Sequence, residues 1–293
     1  MPTPEEIAKA LETLDAAGTY RVLKAAHVPT AQAESFDVAR AIALDVETTG
    51  FDPRSEKIIE LGIVPFTYDR QSGAILEVGE HVQYFEDPGK PIPPEIVELT
   101  GLTDDDVRGK SIDEDRVKQV FDEADLVIAH NAGFDRPFVD QRLPFAQGKA
   151  WADSFSEIPW KAHGQECMKL GCLLKNHAGM FFTGHRAATD AEAILSLLAT
   201  PFEDGTSPML LLLESARLPS MRVAAYGSPF ETKDILKARG YRWNAGDKVW
   251  WIDVPEAALD DELAWLKDEV YGGRDDGPQV LRFNAMTRYT TPR

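Results

Sequence analysis

The run Ala41-Ile42-Ala43-Leu44 leads straight into Asp45-Val46-Glu47 and then the turn signal Thr48-Thr49-Gly50. A short apolar run bounded by a turn is the pattern of a buried strand. Side chains at i and i+2 of a strand project to the same side, so Asp45 and Glu47 stand together. Two anions held that close, partly out of water, repel each other unless something positive lies between them. A divalent cation is the simplest candidate, and hard oxygen donors suit Mg2+ or Mn2+. Taken alone, the triplet fits a solvated strand edge as well, because this chain carries 49 acids in 293 residues. Partner residues elsewhere must decide.

The bulk properties set bounds. The length suits one large or two smaller domains with ample core, and the apolar share of 43% is ordinary for a globular chain. No apolar stretch approaches the roughly 20 residues of a membrane span, and the acidic, amphipathic start MPTPEEIAKALETL is not a signal peptide. Two cysteines, Cys167 and Cys172, are too few for a disulfide scaffold and lack zinc-site spacing. The expectation is a reducing, cytoplasmic setting with no membrane partner. A net charge of −18 argues against broad, salt-driven wrapping of nucleic acid. It leaves room for an enzyme that holds a few phosphates through metal ions.

Along the chain, residues 4–27 read as helical and form an N-terminal appendage, 1–39. The strand over residues 39–50 is followed by two β-rich runs separated by Arg70-Gln71-Ser72-Gly73, a hairpin signal, and then by a Pro-rich excursion. Residues 111–124 read as an amphipathic helix, with Ser111 as N-cap and Glu114 at the capping-box position. Asp125–Gly133 reads as a further strand ending in a turn, and helices follow over 165–178 and 187–199. Strands that hairpin first and then alternate with helices predict an α/β fold, a mixed sheet covered by helices.

Three more acidic or basic positions fall where such a sheet gathers its ligands, at the carboxyl ends of strands. Asp135 lies in AHNAGFDRPF, just after a strand. His185 and Asp190 lie in GHRAATDAEA. Five residues along one helix turn the direction by about 140°, so His185 belongs on a loop before the helix that carries Asp190. By the residues alone, Asp135 remains open between N-cap and ligand, Asp190 between surface acid and ligand, and His185 between loop residue and base. Their order resolves the matter. LDVETTG, AHNAGFDRPF and GHRAATDAEA resemble the three motifs of the DnaQ-like, or DEDDh, 3′–5′ exonucleases, akin to the proofreading subunit of bacterial DNA polymerase III. VELTGLTDDDV resembles the segment between the first two motifs. The resemblance covers residues 40–200 and implies a ribonuclease H-like fold.

It also implies a function: release of nucleoside 5′-monophosphates from the 3′ end of DNA, in repair or in proofreading in trans. The alternatives are an exoribonuclease and a non-catalytic nucleic-acid or polymerase-associated binding protein. Four carboxylates supply roughly the charge to hold two divalent cations, which clamp the attacking and leaving oxygens of an in-line displacement. On this reading Asp45, Glu47, Asp135 and Asp190 are the metal ligands. His185 takes a proton from the attacking water, a task suited to an imidazole. Thr48, Glu95, Thr100, His130 and Asn131 are candidate substrate contacts, with His130 and Asn131 equally able to form a polar turn that orients Asp135. Expected partners are single-stranded DNA 3′ ends and a polymerase or replication protein.

The resemblance stops near residue 200. Residues 201–220 read as a linker, 221–271 as a small α+β module of strand, helix, hairpin and helix, and 272–293 as a flexible tail. Residues 221–249 carry six basic residues against three acidic. Arg242, Trp243, Lys248 and Trp251 are candidate strand-binding residues, since aromatic faces and cations bind single strands by stacking and phosphate contact. Alternation sets Trp250 and Trp251 on opposite faces, so at most one belongs to the module's core.

Overall fold

A computed structural model describes residues 2–32 and 37–290. In chain order the elements begin with α1 (Pro4–Ala17), β1 (Lys24–Ala25), β2 (Val38–Thr48), β3 (Ile58–Asp69), β4 (Ile75–Val78) and β5 (Val82–Phe85). They continue with α2 (Pro94–Thr100), α3 (Asp104–Val107), α4 (Glu114–Glu123), β6 (Leu126–Ala129), α5 (Ala132–Arg142), β7 (Trp151–Asp153), α6 (Leu170–Leu173), β8 (Met180–Phe181) and α7 (Ala187–Leu198). The remainder is α8 (Pro208–Arg217), β9 (Ser220–Ala225), α9 (Lys233–Arg239), β10 (Arg242–Asn244), β11 (Val249–Pro255), α10 (Leu259–Trp265) and β12 (Pro278–Phe283).

The main sheet runs β4-β3-β2-β6-β7, with β5 also on β3. Strands β3, β4 and β5 are antiparallel neighbours, whereas β2, β6 and β7 are parallel. This is the mixed sheet the sequence predicts. Strict alternation along β2 sorts its side chains. Ile42, Leu44 and Val46 pack with Val117, Phe121 and Phe138 on one face. Ala41 and Ala43 pack with Ile194, Leu195 and Met209 on the other. Asp45 and Glu47 continue the second row, so they face the side covered by α7.

Helix α7 comes unusually close to that face. A Cβ on Gly62 of β3 would lie 2.2 Å from the Ala187 carbonyl carbon and the Ala188 nitrogen. Gly62 is the register partner of Asp45. The missing side chain is what lets the first turn of α7 reach the end of β2.

Several expectations are corrected. Helix α1 ends at Ala17, before Gly18 at φ +66°, and β1 then pairs with β8. Helix α4 is capped by Asp113, which accepts from the Arg116 N–H at 3.0 Å, and not by Ser111. Cys167 and Cys172, for which no pairing was expected, form a disulfide, Cα–Cα 6.0 Å. Residues 201–220 are not a linker. Ser207 caps α8, and Met209, Leu212 and Leu213 of that helix are buried in the main core.

The C-terminal module is a four-stranded antiparallel sheet, β10-β11-β9-β12. Its core holds Val223, Leu236, Tyr241 and Leu266, with Trp250 packed against them. The expected flexible tail supplies β12 and then straps the module to the main sheet. The Ala285 carbonyl accepts the Trp151 N–H of the edge strand β7 at 2.8 Å. The Arg136 guanidinium, 1% exposed, donates to the carbonyls of Met286 and Arg288, both at 2.6 Å. Arg288 is itself buried and pairs with Glu157 at 2.7 Å. Covering an edge strand and two buried charges fixes this segment firmly.

Candidate active site

Asp45, Glu47 and Asp190 each offer a carboxylate oxygen, and these atoms lie within 4.8 Å of one another. Two sit on one face of β2. The third lies in the first turn of α7, where its Oδ2 accepts the Arg186 N–H at 2.9 Å. An acid there is also favoured by the helix dipole. Asp135, 2% exposed, stands back from this triad, with its Oδ1 accepting the Val46 N–H between the two β2 acids at 3.2 Å.

The electrostatics are those of crowded anions. Burial, then the charges of Asp135, Asp190, Glu47 and Glu60, push the Asp45 carboxyl well above its ordinary value. Burial with the charges of Asp190 and Glu60 pushes Glu47 up to about 8, against the opposing pull of Arg186. Asp190 is pushed up to about 6, chiefly by burial. Burial also raises Asp135. A cluster of hard oxygen donors that resists ionisation without a counter-charge fits a divalent cation such as Mg2+ or Mn2+.

His185 is exposed and sits at φ +66°, on the loop just before α7. A non-glycine residue in the left-handed region is uncommon and concentrates at functional sites. It lies close enough to Asp190 to favour that residue's ionised form.

The other candidates divide. Thr48 is buried and its hydroxyl donates to the Gly50 carbonyl at 2.6 Å, shaping the turn after Glu47. Glu95 is exposed in the first turn of α2. Thr100 is buried, with its hydroxyl donating to Ile96 O at 2.9 Å and accepting from the Leu102 N–H at 3.1 Å. The Thr100 hydroxyl is committed to the end of α2. His130 uses both ring nitrogens internally, on Ser154 Oγ at 2.9 Å and Met168 O at 2.8 Å, and so braces the turn before α5. Asn131 is exposed at φ +87° and opens α5.

Four residues at the site escaped the sequence reading. Glu60, fully buried, faces Glu47 across the β2–β3 register. Arg186 reaches it at 3.3 Å. Asp153 accepts the Asn131 and Ala132 N–H groups, at 2.7 and 3.2 Å, and so caps the helix that carries Asp135 from a neighbouring strand. Gly62 admits α7. Only Glu60 carried a signal, an acid inside the apolar run Ile58–Val64.

The candidate strand-binding set does not share one face. Trp243, 50% exposed, packs against Trp250 at 5.4 Å between ring centroids. Arg242 and Trp251 lie on the opposite face, where Arg222 stacks on Trp251 at 4.0 Å. That face looks into a groove of about 890 Å³ whose far wall includes Pro137 and Gln141 of α5. Lys248 is exposed in the hairpin turn at φ +52°.

Carboxylates from β2 and α7 meet beside a loop histidine, a set of oxygen donors able to hold a divalent cation. The sequence model of the RNase_T exonuclease family matches residues 42–198, more than half of the chain, and the chain belongs to that family of exonucleases, of the DnaQ-like kind. The PolC-type DNA polymerase III of Halalkalibacterium halodurans is 31% identical over 201 residues, covering 64% of this chain and 12% of that one. The PolC-type polymerase of Clostridium perfringens is 33% identical over 183 residues, covering 58% and 12%. This chain therefore spans about an eighth of the length of these relatives. Among solved structures, exonuclease X in complex with 5′-overhanging duplex DNA aligns with a TM-score of 0.40 at 22% identity, over 55% of this chain and 89% of that one. The zinc-bound E. coli ExoI–ssDNA complex aligns at 0.45 and 15%, over 63% and 47%. No helix among the described residues is long and apolar enough to cross a membrane.

Proposed function

We propose that the protein removes nucleotides one at a time from the 3′ end of a DNA strand, by hydrolysis at a site where Asp45, Glu47, Asp135 and Asp190 hold two divalent cations, Mg2+ or Mn2+. The observation that carries this reading is the meeting of Asp45, Glu47 and Asp190 within 4.8 Å, from segments far apart in the chain. Bound by these carboxylates, such cations would supply positive charge to the phosphate and lower the pKa of the attacking water. The protein's own groups do the rest. His185 accepts a proton from the attacking water, whose oxygen joins phosphorus as the P–O3′ bond breaks. The departing O3′ takes a proton from solvent, so the shortened strand leaves with a 3′-hydroxyl, and the other product is a nucleoside 5′-monophosphate.

DNA is favoured over RNA because the relatives are named as DNA polymerases. The same relatives favour a polymerase or replication partner. Phe51, 83% exposed just after the Thr48–Gly50 turn and edge-on to Phe134, offers a stacking surface for a terminal base beside the acids. Arg242 and Trp251, with Arg222, form a second surface suited to a strand. The test is degradation of single-stranded DNA, mismatched duplex and RNA in parallel, with Mg2+, Mn2+ or chelator. The reading expects DNA shortened from its 3′ end only when metal is present.

A further inference from the structure

Glu60 is an expensive residue where it stands. It is fully buried, it faces Glu47 across the sheet, and its charge adds to a cluster that already repels itself. A glutamine would keep the shape without the charge. What the charge does hold is Arg186. Glu60 Oε1 accepts Arg186 Nε at 3.3 Å and is also bonded by the Gln83 side-chain amide. The Arg186 guanidinium lies over the Phe85 ring at 5.4 Å, and its backbone N–H caps Asp190. Two contacts therefore fix this side chain and a third fixes its backbone, on the rim of the acid triad and next to His185 in sequence.

The two terminal nitrogens of that guanidinium make no hydrogen bond among the described residues, and the side chain is 44% exposed. A guanidinium tethered through Nε presents its other N–H groups as a planar fork, which matches two oxygens of a phosphate. We propose that Arg186 binds the phosphate of the strand's terminal nucleotide and, after cleavage, the 5′-phosphate of the released nucleotide, with Glu60 as the residue that positions it. This rests on the exonuclease reading above. A structural alternative exists, in which Arg186 serves only to offset the buried acids.

The two are separated by binding measurements on the full-length protein with Mn2+, using thymidine 5′-monophosphate and thymidine as probes. For Arg186→Gln the proposal expects monophosphate affinity to fall about 10–100-fold, the scale of hydrogen bonds to a charged group, while thymidine affinity holds. Mn2+ affinity should stay within about threefold, and KM for a strand should rise more than kcat falls. Arg186→Lys should restore only part, because an ammonium lacks the fork. Glu60→Gln should weaken monophosphate binding to an intermediate degree, with the thermal midpoint of each variant checking the fold. Unchanged monophosphate affinity in Arg186→Gln, while wild type cleaves strands, overturns the assignment alone. A wild-type protein that neither binds the monophosphate nor cleaves any strand overturns the exonuclease reading with it.

Discussion

Glu47→Gln should stabilise the metal-free protein, and only at the pH where Glu47 would otherwise ionise. The carboxyl of Glu47 is pushed from 4.5 up to about 8 by burial and by Asp190 and Glu60. A carboxyl with a raised folded pKa makes the folded state hold its proton longer than the unfolded chain does. Its contribution is fully present below pH 4.5 and is lost as pH rises through about 8. At 1.36 kcal/mol per unit the loss reaches roughly 5 kcal/mol at pH 8, and partial solvent access and relaxation of the neighbouring acids bring it to about 1–3 kcal/mol. The amide keeps the shape and removes the charge. In chelator at pH 8, Glu47→Gln should melt several degrees above wild type, on a scale of roughly 2–4 °C per kcal/mol, and the gap should close near pH 4.5. Saturating Mn2+ should reverse the order, since wild type gains about 2.7 kcal/mol at a hundred times its Kd. Thermal melts over pH 4.5–8.5 measure this. A variant no more stable than wild type at pH 8 without metal would refute the crowded-anion account.

Gly62→Ala should lower both melting temperature and activity, because its Cβ would lie 2.2 Å from the α7 backbone that carries Asp190. Overpacking costs about 1–3 kcal/mol, and a displaced ligand on the order of 10²-fold in rate; wild-type values for both would contradict the role given to this contact. His185→Ala should cut turnover roughly 10²–10⁴-fold while Mn2+ affinity is kept, and turnover within twofold of wild type would reduce His185 to a loop residue. Arg288→Met should destabilise the full chain by about 3 kcal/mol, because Glu157 is left buried without its partner; an unchanged melting temperature would remove the strap from the account.

The acids of β2 were legible because alternation alone sets Asp45 and Glu47 on one side of a strand. Asp135, Asp190 and His185 needed the motif resemblance, since each residue by itself fits a cap, a surface acid or a loop. Trp250 and Trp251 were split between faces by the same alternation, and only Trp250 joins the module's core. Other features depended on contacts between distant parts of the chain. The sequence around Gly62 does not say which helix will rest on it, and Asp153 caps a helix to which it is not adjacent. The tail looked mobile because Gly272, Gly273 and Gly277 break it up. Its order comes from pairing with β9 and from Arg136 and Glu157, more than a hundred residues away in sequence. Thr100 and His130 show the same limit, as a polar group's availability depends on what already bonds it.

The central claim is that this acid cluster makes a metal-dependent exonuclease, and a 5′-labelled DNA strand tests it most directly. With Mg2+ or Mn2+ the full-length protein should convert the strand into a ladder shortened from the 3′ end, releasing nucleoside 5′-monophosphates. Chelator, Asp45→Ala or Asp190→Ala should abolish the ladder with the fold intact. More than a few percent of wild-type turnover in both variants, or cleavage that persists in chelator, would contradict the claim.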